Sequence, residues 1–160
     1  MYRRVYNQEE LDNLTVDELN NLRELDCSNT NVSILPNLPK LEVLYCRSTN
    51  VSTIPNLPNL SVLYCSYTNV SAIPNLPNLV RLYCSNTPVP SKEVGRFRLY
   101  RINDLQLQIG CQIKYIKTWL EMSEEDIEDL DSQAKSFNDK YRTEVLEFIE
   151  LTNNKICKEK

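Results

Sequence analysis

The chain contains no histidine. That absence removes the usual general base near neutral pH, the usual proton shuttle and the commonest metal ligand. Glycine is nearly absent too, with Gly95 and Gly110 alone, so there is no glycine-rich loop to cradle a phosphate. No run of 18 apolar residues occurs, which excludes a membrane-spanning helix. The stretch from Met1 to Glu10 has arginines but no apolar centre of a secretory leader, and a cytoplasmic, reducing setting is the expectation. Charge is close to balanced, 18 basic against 22 acidic residues for a net of −4, so binding led by nucleic-acid phosphates is not expected. With no paired carboxylates placed for acid–base work either, an enzyme finds no support. No catalytic residue, metal or cofactor is expected.

What the sequence does contain is a period. Leu22, Leu41, Leu60 and Leu79 stand 19 residues apart, as do Leu25, Leu44, Leu63 and Leu82, and Cys27, Cys46, Cys65 and Cys84. Thr30, Thr49, Thr68 and Thr87 keep the same spacing, and so do Val32, Val51, Val70 and Val89. The best-kept unit reads Leu-x-x-Leu-Tyr-Cys-Ser-x-Thr-Asn-Val-Ser-x-Ile-Pro-Asn-Leu-Pro-Asn. A fixed period in this range signals stacked coils. Leu-x-x-Leu-Tyr-Cys-Ser carries a short strand, in which alternate residues point inward. Thr and Asn make the following turn, since their side chains bond the backbone locally. Ile-Pro-Asn-Leu-Pro returns in an extended conformation, because each proline fixes its own φ and biases its predecessor. One coil cannot bury its apolar face alone, so neighbours stack with their strands parallel.

These residues resemble the leucine-rich repeats, whose consensus is L-x-x-L-x-L-x-x-N-x-L. The likeness is closest to the short variety with an I/L-P-x-L-P return, familiar from bacterial effectors and from viral proteins of large DNA viruses of amoebae. It covers roughly residues 14 to 90. Cysteine replaces the third consensus leucine, and threonine stands at the ladder asparagine. The resemblance implies an α/β repeat solenoid: short parallel strands on a concave face, an extended, polyproline-like convex side, a helical N-terminal cap and an α-helical C-terminal extension. It also implies a protein-binding habit. Some effector relatives are ubiquitin ligases with a Cys-x-Asp nucleophile, but Cys111 is followed by Gln112 and Ile113, so that activity is not implied.

Three segments follow: a cap over residues 1–21, four repeats over 22–90 and a helical extension over 91–160. In the cap, Asn7 to Leu14 reads as a short helix, and Thr15 to Glu18 has the capping-box spacing of a second. Downstream, Ser91-Lys92-Glu93-Val94 could start a helix. Leu105, Ile109, Ile113, Ile116 and Leu120 fall at helical spacing, while Leu105 to Ile113 also alternates with period two. Helix is preferred there because the apolar face continues to Leu120. Ser123 caps a further amphipathic stretch carrying Ile127, Leu130, Ala134, Phe137, Tyr141, Val145 and Phe148, one long helix or two broken near Asn138-Asp139. A helical hairpin closing the solenoid is the simplest arrangement, and a homodimer through these helices is the alternative.

The cysteine ladder invites a metal reading, but four thiols in a line do not make the tetrahedron zinc wants. All four occupy an inward position, where cysteine packs as a small hydrophobe. The Asn-x-Ser/Thr matches at Asn13, Asn31, Asn50, Asn59 and Asn69 come largely from the repeated Asn-Val-Ser. The outward strand positions are the candidate site. The central row is Asp26, Tyr45, Tyr64 and Tyr83; the row before it Glu24, Val43, Val62 and Arg81; the row after it Ser28, Arg47, Ser66 and Ser85. Tyrosine and arginine are the types enriched where binding energy concentrates, although cross-strand stacking alone could also favour such a stripe. Partner-binding residues are therefore expected at Tyr45, Tyr64, Tyr83, Arg47, Arg81, Asp26 and Glu24. Lys92, Arg96, Arg98 and Arg101 form a basic cluster and Glu121 to Asp131 an acidic one, both best read as solvated faces. The expected function is a non-enzymatic protein–protein interaction module using the concave face. A structural or assembly protein, virion-associated and acting through the C-terminal helices, is the alternative.

Overall fold

The computed structural model describes residues 1–94, 97–102, 106–109, 112–121 and 137–156. Two compact units divide the chain, Met1–Val89 and Pro90–Lys160.

The first unit is a stack of coils. Its strands are β1 (Tyr2–Arg4), β2 (Glu24–Asp26), β3 (Val43–Tyr45), β4 (Val62–Tyr64) and β5 (Arg81–Tyr83), paired in parallel in that order. The register follows the 19-residue period, with Leu25 beside Leu44, Leu44 beside Leu63 and Leu63 beside Leu82. Each full coil sends the same residues inward. In the second these are Leu41, Leu44, Cys46, Val51, Ile54 and Leu57, all buried. A fully buried leucine contributes roughly 2 kcal/mol, and that burial needs a neighbour above and below.

The turn after each strand requires a left-handed residue: Asn29, Ser48, Tyr67 and Asn86 have φ of 59°, 54°, 59° and 56°. The next residue, threonine, closes the turn. Thr49 Oγ1 donates to the Cys46 carbonyl at 2.7 Å, and Thr30, Thr68 and Thr87 repeat the bond to Cys27, Cys65 and Cys84. Threonine thus bonds a backbone group at the position where the family consensus has asparagine. The return segments contain neither helix nor strand. Each ends in a turn with proline second, where its fixed φ suits: Leu41, Leu60 and Leu79 N–H donate to Leu38, Leu57 and Leu76 carbonyls at 3.1, 3.0 and 3.1 Å. Asn59 and Asn78 Nδ2 then donate to the Pro39 and Pro58 carbonyls of the preceding coil at 2.7 and 2.8 Å.

Two short helices lie between β1 and β2: α1 (Gln8–Asp12), capped by Asn7, and α2 (Val16–Asn21), with the full Thr15–Glu18 capping box. Gln8 covers the open backbone of the first coil. Its Oε1 accepts from Ser33 and Ile34 N–H at 2.9 and 3.1 Å, and its Nε2 donates to the Ile34 carbonyl at 3.0 Å.

The second unit overturns the expectation of an all-helical extension. Its described residues hold a four-stranded antiparallel sheet, β6 (Ser91–Val94), β7 (Phe97–Arg101), β8 (Gln106–Ile109) and β9 (Gln112–Tyr115), in sequential order. Ser91 starts a strand and not a helix. Across residues 103–113 the period-two alternation prevails wherever the residues are described. The physical reason is burial on both faces, since Gln106, Leu107, Gln108 and Ile109 are all buried. The helices α3 (Ile116–Glu121) and α4 (Phe137–Ile156) follow. Val145, Phe148 and Ile149 of α4 pack on Val94, Leu99, Leu107 and Ile109. Asn138 and Asp139 lie within α4, and no break occurs there. Ser123, Ile127, Leu130 and Ala134 lie outside the described residues.

Candidate functional site

The outward row of β2 to β5 is a stack of aromatic rings. Tyr45 and Tyr64 have centroids 4.7 Å apart at 10°, and Tyr64 and Tyr83 4.4 Å apart at 1°. This is close to the strand spacing of about 4.8 Å, so the ladder itself sets the stacking. Rings stacked face to face cover one another's faces, leaving ring edges and hydroxyls for a partner. Tyr83, on the last strand, is the most open of the three, 47% exposed. Partial burial, with Glu24 next in effect, raises the Tyr45 phenol pKa. The Tyr45 hydroxyl therefore stays protonated at neutral pH and is a donor.

Asp26 and Glu24 sit at the β2 end of the face. Asp26 Oδ1 accepts from Ser28 N–H at 2.9 Å, and its Oδ2 lies 3.6 Å from Arg4 Nη1. The acid end is thus partly neutralised by a residue from β1. The Arg47 guanidinium lies over the Tyr67 ring, 5.3 Å from its centroid. Among the described residues, neither Glu24 nor Arg81 forms an ion pair. Six of the seven expected residues lie on strands β2 to β5, and the seventh, Arg47, lies in the turn after β3.

The sequence reading missed Tyr2, Arg4, Tyr6 and Tyr67. β1 pairs with β2 in a register of 22 residues, Tyr2 beside Glu24 and Arg4 beside Asp26. A search at 19 passes over it, and Arg3 at the inward leucine position conceals the strand. Alternation around buried Val5 was the available signal. Arg4 also reaches the Tyr6 ring, 5.5 Å from its centroid.

The cysteine ladder is inward and buried, and none of its four thiols is in a disulfide. Burial pushes the Cys27 thiol up to about 12, with Asp26 adding to the effect. Burial likewise raises Cys46 and Cys65. Protonated thiols are poor nucleophiles and poor ligands, and no cluster suited to a metal ion occurs among the described residues. The basic cluster does not form one patch. Lys92 reaches Glu147 at 3.7 Å, Arg98 pairs with Glu93, and Arg101 is buried. Arg96 lies outside the described residues, as do Glu124 to Asp131, while Glu121 pairs with Lys117 at 3.7 Å. Among the described residues no helix is long and apolar enough to cross a membrane.

Stacked coils, a parallel ladder and a repeated inward set define a repeat solenoid. Residues 20–59 match the family model described as Leucine Rich repeats (2 copies). No curated protein and no solved structure matches it. Domains of this family generally mediate protein–protein interaction and are typically not enzymes.

Proposed function

We propose that this chain is a non-enzymatic interaction module that docks a protein partner on the outward, concave face of its parallel sheet. The tyrosine stack carries this reading. Three rings with near-parallel planes are ordered before any partner arrives, so little side-chain entropy remains to be lost on binding. Their hydroxyls and ring edges suit carbonyl and carboxylate acceptors. Arg47 and Arg81 flank the stack as further donors, while Glu24 and Asp26 give the face a direction.

The test is affinity capture from cell extract with the full chain against the triple variant Tyr45→Ala, Tyr64→Ala, Tyr83→Ala. These side chains point away from the core, so the far-ultraviolet circular dichroism spectrum should stay unchanged. Loss of captured proteins in the triple variant supports the reading. Retention of every one of them sinks it.

A further inference from the structure

The row before the tyrosines reads acid, apolar, apolar, base: Glu24, Val43, Val62, Arg81, each beside the next in the ladder. Turned end for end, that row becomes its own electrostatic complement. We propose that the partner this face fits is a second copy of the chain, docked face to face about a two-fold axis parallel to the strands and passing between β3 and β4. The proposal rests on the reading of this face as a docking surface and names its occupant.

Such an axis sets β2 of one copy over β5 of the other and β3 over β4. Glu24 then meets Arg81 of the second copy, twice in the dimer, and both groups lack an ion-pair partner among the described residues. Val43 meets Val62 between those pairs. In the tyrosine row, Tyr45 meets Tyr64 at their hydroxyl ends, and the Tyr83 hydroxyl faces the Asp26 carboxylate. In the third row Arg47 meets Ser66. No like charges meet in any row, which is the condition an isologous contact must satisfy.

Two other face-to-face registers forgo the Glu24–Arg81 pairs. An axis through β3, the middle of the five strands, puts Glu24 on Val62 and Arg81 on Tyr2. An axis running along the ladder puts Arg47 on Val43. Each leaves Glu24 and Arg81 facing uncharged residues, where the axis between β3 and β4 pairs them. The contact is small: four strands by five residues project about 300 Å² per copy at ordinary strand spacings. A standard interface buries about 800 Å² per partner, so the dimer is weak, reversible and sensitive to salt.

Sedimentation equilibrium on the full chain tests this, at concentrations up to about 1 mM. The apparent mass should rise with concentration from 18.7 kDa toward twice that, and the rise should diminish in high salt. Glu24→Arg and Arg81→Glu should each raise the dissociation constant about tenfold, since each breaks two ion pairs and sets like charges together. The double variant Glu24→Arg, Arg81→Glu restores both pairs with their signs exchanged, and it should return to within about threefold of the unaltered chain. A constant monomer mass overturns the proposal. So does a dimer indifferent to the single variants, as one held through the C-terminal helices would be, or a double variant that does not recover. A monomeric chain that still captures other proteins through its tyrosines overturns the dimer and leaves the interaction face standing.

Discussion

Tyr67 sits at a backbone position that the other coils fill with Asn29, Ser48 and Asn86, at a φ of 59°. A bulky side chain in the left-handed region costs roughly 1–2 kcal/mol, and asparagine tolerates it better. The contact of Arg47 with the Tyr67 ring returns about 0.5 kcal/mol at an exposed site. Tyr67→Asn should therefore stabilise the fold by up to about 1 kcal/mol, read as a higher urea midpoint with an unchanged slope. A destabilised variant would mean that the ring holds more than Arg47. The buried thiols give a second expectation. Cys27 ordinarily ionises near 9.0 but is pushed to about 12 in the folded chain. The folded state keeps a proton that the unfolded chain releases, so this contribution to stability is intact below pH 9 and declines as pH rises toward 12. Alkaline unfolding should be correspondingly steep, and Cys27→Ala should make it shallower. An alkaline limb unchanged by the substitution would remove the thiol from the account. The inward place of these cysteines was legible in the sequence, because they recur at a leucine position. Their raised pKa values were not, since these depend on what surrounds them.

At the scale of elements, α2 begins with a reciprocal pair. Thr15 N–H and Oγ1 both donate to Glu18 Oε2 at 2.9 Å, and Glu18 N–H returns a bond to Thr15 Oγ1 at 3.3 Å. The backbone bond, then the hydroxyl, lowers the Glu18 carboxyl below its usual 4.5. This support is present above pH 4.5 and is lost as pH falls through the lowered value. Thr15→Ala should cost about 1 kcal/mol at neutral pH, and Glu18→Gln should flatten the acid limb of a stability–pH curve. An acid limb of unchanged shape would show that the pair does not couple to folding. The capping box was readable because it lies within four residues. The sheet at 91–115 was not readable with the same security. Ile109 and Ile113 satisfy helical spacing and strand alternation together, and the choice falls to the partner strand.

On the scale of the whole molecule, a stack of coils holds together through nearest neighbours. Leu63 lies in an interior coil and is fully buried, with strands on both sides. Leu63→Ala should cost about 2–5 kcal/mol. Hydrogen exchange should show the loss of protection spreading to the coils on either side of β4. Loss confined to its own coil would mean that the coils are not coupled through their core. The sequence by itself determined the coil, its inward set and the alignment of Tyr45, Tyr64 and Tyr83, because identical letters at a constant period must stack in register. Long-range pairing settled that β1 joins the ladder, that Arg4 pairs with Asp26, and that residues 91–94, 97–101, 106–109 and 112–115 form strands. Those outcomes depend on which distant segment supplies a hydrogen-bonding edge or covers a face, and a local pattern of side chains does not carry that information.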